Sequence, residues 1–408
     1  MAKAPVVPLH AAGPALGPAL PSVDAIVRRD QPAEPLLCLR PATIVTAAAR
    51  FAAAFPGDVL YAVKCNPDPR VLRAVWAGGV KHFDCASLPE TALVRRVVPG
   101  AEVHFMHPVK NRPAIRAAFH QHDVCDFAFD TRDELEKILQ ETVPVGLVGT
   151  PPLLGLFLRL AVAQGGAYDL SGKFGAAIGE AAALLQVARP HAARLGICFH
   201  DGSQCLDPQA YPRAIRLAAE AAAQAGVGID VLDIGGGFPV SYPDIVPPPL
   251  ADFVAAIRDG AATQFGEGVR LWAEPGRALV AGGGSLVVQV QLRRGDALYV
   301  NDGVYGSLSD AGRPGFRFPA RRIRPNSAAE EDGSAQLPFM LFGPTCDSAD
   351  RMQGPFLLPA DIDEGDWIEL GQLGAYGGCL RTQFNGFDGT TTVEVGDPPM
   401  LSTPGYEG

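Results

Sequence analysis

A chain of 408 residues, nearly half of them apolar, can bury a sizeable core and has room for two domains. With 34 Lys and Arg against 44 Asp and Glu, its formal charge of −10 repels phosphate backbones, which argues against nucleic acid as a partner and suits a small cationic ligand. Eight scattered cysteines with no Cys-x-x-Cys pair and no Cys/His zinc spacing point to a reduced, cytoplasmic protein without a metal, and no apolar run is long enough to span a membrane.

Residues 1–21 are rich in Ala and Pro and read as a flexible tail, since the prolines interrupt any signal-peptide core. Residues 22–37 read as strand or linker belonging to a second domain. From about residue 57, short apolar runs alternate with Ala- and Leu-rich helical stretches at βαβ spacing. The expected strands are 59–66, 82–87, 103–108, 126–130, 155–162, 195–203, 231–237 and 269–276. Between the sixth and seventh, residues 208–225 read as a helix from a Pro start to the Gly after its end.

Eight parallel strands with intervening helices close into a barrel over residues 38–277, and the alternative is an open doubly wound sheet. Polar residues collect at the strand ends: Lys64, Asp84, His107, Asp130, Arg159, His200, Gly235 and Glu274. A barrel puts its chemistry on that rim. Residues 278–408 change texture, with Val/Leu/Tyr runs at 285–292, 296–301 and 366–370 broken by Gly and Pro, and read as an antiparallel β-domain. Residues 310–337 read as a surface loop.

Several residues suggest chemistry. Lys64 ends a strand expected to be buried on both faces, where desolvation lowers an ammonium pKa and frees the amine for Schiff-base formation. The alternative is a strand-end lysine reaching solvent. Gly235, Gly236 and Gly237 follow a strand, as an anion-binding turn does and as any tight turn does. Glu274 and Arg277 offer a carboxylate for a pyridine nitrogen and a guanidinium for a phosphate, or else form a surface pair. His200 can lie flat on a ring, and Ser203 can bond a phosphate. Arg159, a charge on an apolar strand, needs a partner if buried.

Taken in order, eight motifs resemble the ornithine/diaminopimelate/arginine decarboxylase family of fold type III pyridoxal-phosphate enzymes. They are Tyr-Ala-Val-Lys-Cys-Asn, Phe-Asp-Cys-Ala-Ser-x-x-Glu, His-x-Gly-Ser-Gln, Asp-Ile-Gly-Gly-Gly-Phe, Glu-Pro-Gly-Arg, Asn-Asp-Gly-Val-Tyr-Gly-Ser, Gly-Pro-Thr-Cys-Asp-Ser and Gly-Ala-Tyr. They run from about residue 35 to about 390. The resemblance implies an alanine-racemase-like (β/α)8 barrel with a C-terminal antiparallel β-domain, a homodimer with shared active sites, and pyridoxal 5'-phosphate as cofactor.

The resemblance also assigns roles. Lys64 would carry the cofactor, Glu274 would pair with its pyridine nitrogen and His200 would stack on its ring. Ser203, Gly235, Gly236, Gly237, Arg277 and Tyr376 would hold the phosphate, inside a polar shell of Asp84, Glu90 and Arg159. Cys346, as acid, and Asp347, on the distal ammonium of the substrate, would reach in from the other subunit, with Tyr305 and Phe384 near the substrate.

Cys-Asp-Ser at 346–348 resembles ornithine-type enzymes, where diaminopimelate enzymes resemble Cys-Glu-Ser, so the implied reaction is decarboxylation of ornithine or lysine to a diamine, as in polyamine synthesis. A modified amino acid in a specialised pathway, a racemase and a catalytically dead regulatory homologue are the alternatives. Two positions depart from the family: Arg313 and Pro314 stand where a Tyr-Asp pair is expected, with Asp310 nearby at a different offset, and Asp201 replaces an apolar residue beside His200. Asp201 either raises the His200 pKa or faces water.

Overall fold

The computed structural model describes residues 20–142, 153–162, 172–312, 314–325 and 334–407. Residues 1–19 of the expected tail and Arg313 fall outside these residues. A helix over Val23–Asp30, capped by Ser22, and strand β1 (Leu36–Leu39) come first. The helix was not expected from the sequence. Its buried Val23, Ile26 and Val27 pack with Trp367 and Val395 under the second sheet.

All eight expected barrel strands are present: β2 (Asp58–Ala62), β3 (His82–Asp84), β4 (Glu102–His104), β5 (Asp126–Phe129), β6 (Leu154–Arg159), β7 (Ala192–Cys198), β8 (Val231–Asp233) and β9 (Arg270–Ala273). All eight stop short of the expected carboxyl ends, because the residues beyond leave the ladder to form the rim. The strands are parallel in the order β4-β3-β2-β9-β8-β7-β6-β5, and a single bridge between Phe105 and Phe127 joins the two ends. The sheet is therefore a ring and not the open alternative. Leu60, Ala128, Phe157, Cys198, Val231 and Trp272 form a separate buried cluster from alternate positions on the strands, while residues such as Val59 and Tyr61 pack outward with the helices. Helix Ala210–Ala225 starts two residues later than expected and ends at Gly226, whose φ of 65° takes the left-handed C-cap.

The second sheet contains β1, β10 (Gly284–Arg294), β11 (Ala297–Val300), β12 (Ala320–Ile323), β13 (Gln336–Phe342), β14 (Arg351–Pro359), β15 (Trp367–Leu370) and β16 (Thr391–Glu394). It is mostly antiparallel, but β1 runs parallel to β16 and β11 to β13. The expected surface loop 310–337 is corrected: Asp310 at its start is buried, Ala320–Ile323 within it form β12, which pairs with β15, and β13 begins at Gln336. Among the described residues no helix is long and apolar enough to cross a membrane.

Arg40, where β1 passes into the first barrel helix, Pro41–Ala54, anchors that junction in the second sheet. Its guanidinium donates to Glu369 Oε1 and Ser285 Oγ at 2.8 Å each and to the Asp397 carbonyl at 3.0 Å. Arg321 takes the other oxygen of Glu369, which has no solvent exposure. Glu369→Ala leaves two guanidiniums without their shared anion, and it is expected to cost about 3–5 kcal/mol. Urea unfolding measures the loss, and a cost near that of a surface carboxylate would show that the network does not hold the second sheet together.

Candidate active site

Six of the eight rim residues, Lys64, Asp84, His107, Arg159, His200 and Glu274, converge on a cavity of about 390 Å³ at the carboxyl ends of the strands, whereas Asp130 and Gly235 do not line it. Lys64, Asp84, Arg159, His200, Ser203, Gly236, Gly237, Glu274, Arg277 and Tyr376 line it. They come from the ends of several barrel strands and the turns that follow them, with Tyr376 from the second domain. Lys64 lies in the short turn Val63–Cys65 after β2, Asp84 ends β3, and Glu274 follows β9.

Lys64 Nζ lies 3.1 Å from Asp84 Oδ2. Burial pulls its pKa down, but Asp84, Glu274 and Tyr376 outweigh burial and the net shift is upward. The expected lowering is thus corrected: the side chain opens onto the cavity and its amine sits among carboxylates, not among apolar groups alone. Glu274 is the counterpart. Its burial, together with the Asp233 and Asp84 carboxylates, pushes its carboxyl well up against the opposing pull of Lys64 and Arg159. Burial also pushes Asp233 up to about 6.

The His200 pKa is far below its usual value, from burial first and then from Arg159 and Lys64. Its Nδ1 accepts the Gly202 N–H at 2.9 Å, so the proton of the neutral ring sits on Nε2. Asp201 neither raises this imidazole nor faces water. It is buried, and burial pushes its own carboxyl up to about 6.

The glycine turn has a specific polarity. The carbonyl of Gly235 accepts Glu274 N–H, that of Gly236 accepts the Tyr211 hydroxyl, and that of Gly237 accepts Cys205 N–H. A trans peptide points its N–H opposite to its C=O. The amides of Gly236, Gly237 and Phe238 are thereby turned away from those partners, and these three residues line the cavity. The N–H of Gly235 is spent on Asp233 Oδ1. A Cβ at Gly236 would lie 2.6 Å from the Glu274 carbonyl, and Gly237 has φ 96°, so neither position accepts a side chain without rearrangement.

Arg277 sits at the same end, but its fork is occupied. Nη2 meets Asp310 at 2.8 Å, Nη1 donates to Tyr242 Oη at 2.7 Å, and the guanidinium lies over the Tyr376 ring. Asp310, flagged in the sequence as a nearby carboxylate, therefore serves Arg277 here. Glu90 does not line the cavity. It bonds Ala86 N–H at 2.7 Å beside the Ser87 cap of helix Leu88–Val97.

Cys346, Asp347, Tyr305 and Phe384 form a second group outside the cavity lining. The Tyr305 hydroxyl donates to Asp347 Oδ2, and the Tyr305 and Phe384 rings are 4.9 Å apart. Buried Asp350 fixes both loops by accepting from Val304 N, Thr345 N and Thr345 Oγ1. The Ala349 N–H and then the Tyr305 hydroxyl hold the Asp347 pKa below the usual carboxylate range, so Asp347 is an anion at neutral pH. Cys346 is exposed.

The sequence reading gave no role to Lys173, Phe174 or Tyr242 and named His107 only as a strand end. Lys173 and Phe174 line the cavity with His107, whose ring meets Phe174 edge-on at 5.0 Å.

A family model described as pyridoxal-dependent decarboxylase, pyridoxal binding domain, matches residues 41–281. The chain is 33% identical over 359 residues to decarboxylase flvG of Aspergillus flavus, covering 83% of this chain and 80% of that protein. It is 32% identical over 353 residues to the lysine/ornithine decarboxylase of Selenomonas ruminantium, covering 84% of each. Its fold matches the arginine decarboxylase of Paramecium bursaria Chlorella virus with a TM-score of 0.79 at 29% identity, over 91% of this chain and 99% of that one.

Asp201 yields a pH test. Its folded pKa of about 6 lies above the unfolded value of about 4. Folding is therefore unpenalised below about pH 4 and loses stability as the pH rises through 6, by about 3 kcal/mol at most. Asp201→Asn is expected to stabilise the protein at pH 8 and to do so much less at pH 5, measured by urea unfolding. An equal gain at both pH values would show that the buried charge is not the cause.

Proposed function

The chain belongs to the pyridoxal-dependent decarboxylase family, and from that premise we propose that it decarboxylates a basic amino acid of the ornithine or lysine type, giving a diamine and carbon dioxide. The convergence of Lys64, Glu274, His200 and the outward-facing glycine amides on one cavity carries the reading. Polyamine formation is the corresponding pathway.

The cavity fits pyridoxal phosphate on its own chemistry. Glu274 is a carboxylate pushed up by burial and then by the Asp233 and Asp84 carboxylates, beyond what Lys64 and Arg159 offset, and a protonated pyridine nitrogen would supply a further cation. Three successive amides on a turn without side chains suit a phosphate. Ser203 and Tyr376 add hydroxyls at the cavity wall, with Arg277 behind them. Lys64 would hold the cofactor through its amine, and neutral His200 would lie on the ring face without competing for the pyridine proton. When bound, pyridoxal phosphate supplies the electron sink that makes loss of the α-carboxylate feasible. Asp84 and Arg159 orient the charges around Lys64 and Glu274.

The second group completes the reading if the protein is a homodimer. Asp347 of the partner subunit would hold the distal ammonium of the substrate, and Cys346 of the partner subunit would deliver a proton to Cα. Tyr305 keeps that aspartate ionised and fixed. The names of relatives that include lysine, ornithine and arginine decarboxylases support a basic substrate.

L-ornithine, L-lysine, L-arginine and L-2,4-diaminobutyrate are to be assayed for carbon dioxide and amine. Release is expected from L-ornithine or L-lysine, and Lys64→Ala is expected to abolish it with the visible cofactor band. Failure of all four substrates would overturn the substrate class. For the shared site, mixing inactive Lys64→Ala and Cys346→Ala subunits is expected to restore about a quarter of wild-type activity through one intact site per mixed dimer. No recovery after subunit exchange would place both groups in the same chain's site.

A further inference from the structure

A cluster at the opposite, amino-terminal end of the barrel has no part in the cavity. His82 starts β3, while Glu102 and His104 bound β4. His82 Nδ1 lies 3.1 Å from His104 Nε2 and 3.6 Å from Glu102 Oε2, and all three ligand-type atoms lie within 4.8 Å of one another. Among the described residues it is the one group of His, Cys and carboxylate side chains so placed. We propose that His82, Glu102 and His104 form a binding site for a divalent transition metal of the zinc type, with water in the fourth position.

The spacing suits such an ion before any movement. Four ligands at zinc's usual bond length of about 2.0–2.1 Å in a tetrahedron stand about 3.3 Å apart, between the two nitrogen and oxygen separations given above. The ligand chemistry also agrees, two imidazoles and a carboxylate being a borderline-soft set.

The groups behind the ligands provide an independent observation. His104 Nδ1 is 2.7 Å from Asp126 Oδ2, so this nitrogen carries the proton and the Nε2 lone pair faces His82. Arg194 holds the other oxygen of Asp126, and both His104 and Asp126 are buried. On the other imidazole, His82 Nε2 faces Asp58 Oδ1 at 3.8 Å, and Asp58 is fixed by Trp272 Nε1 at 2.9 Å. Each histidine thus has a carboxylate on its far side, the arrangement that orients metal-bound imidazoles and raises their basicity.

Without metal, one proton lies between the two facing nitrogens. Metal binding moves that proton from His82 Nδ1 to Nε2, toward Asp58, with no net proton release, and leaves lone pairs from two nitrogens and one oxygen for the cation. Glu102 is largely exposed and leaves a route for the ion from solvent. The ion would tie β3 to β4 and, through Asp126, β4 to β5. That last junction is where the ring has only the Phe105–Phe127 bridge, so the metal would act as a clip on the weakest seam.

The test uses the cofactor-loaded protein and zinc chloride. Equilibrium dialysis with metal analysis is expected to find one zinc per chain in the wild type and at least tenfold weaker binding in His82→Ala and in Glu102→Gln. Zinc is expected to raise the unfolding temperature of the wild type and not of either variant. Decarboxylase activity without added zinc should be unchanged in Glu102→Gln, whose exposed side chain is dispensable for folding. Absence of zinc from the wild type, or equal zinc affinity in wild type and Glu102→Gln, would overturn the proposal. Zinc held at an exposed thiol such as Cys346 would appear as that equal affinity.

Discussion

The site is organised around a carboxylate that cannot easily be charged where it stands. Glu274 is buried at the end of β9 with Asp233 and Asp84 close by, and Lys64 and Arg159 are too few to balance the three. A low-dielectric cavity makes that imbalance costly, and the protein alone relieves it by retaining a proton. A ring nitrogen that accepts this proton and becomes a cation beside Glu274 removes the conflict. The same imbalance accounts for the upward shift of Lys64, which is the cation most exposed to the excess negative charge. Cofactor affinity and readiness for chemistry therefore arise from one electrostatic arrangement.

Closure of the ring brings those charges together. Eight short strands end at one level, so residues from 64 to 277 meet within one cavity although they are far apart in sequence. At the phosphate end the balance differs. Arg277 is already neutralised by Asp310, so the positive character facing an anion comes chiefly from backbone amides. Amide polarity does not titrate, and the glycine turn thus offers a field independent of pH, whereas the Glu274 end depends on protonation.

Much of this was legible in the sequence because strand ends and motif residues coincide. Eight apolar runs with helical spacers fixed the barrel, and a lysine, a glycine triplet and Glu-x-x-Arg at successive strand ends located the cavity. The helix at Val23–Asp30 was missed because eight residues carry barely two turns of periodicity, and its apolar stripe makes sense only against the sheet it covers. Lys173 and Phe174 were missed because they lie on a segment between elements, where no periodicity marks them. The direction of the Lys64 shift was misread for a different reason: strand burial was visible in the sequence, while the proximity of Asp84 and Glu274 is a property of the closed ring. Asp310 was noticed as a carboxylate, yet its bond to Arg277 depends on the second sheet folding over the rim.

The two ends of the barrel show why local spacing underreports chemistry in this fold. His82 and His104 are 22 positions apart and belong to no ligand motif, but adjacent parallel strands in register place their side chains in contact. The pairing of His82 with Glu102 and of Asp84 with His104 sets the amino-end cluster and the cavity wall by the same ladder. A strand of three residues thus presents one ionisable group to each end, His82 below and Asp84 above. Because Phe83 between them is buried outward against the helices, a shift of this strand by one residue would remove both groups from their sites together.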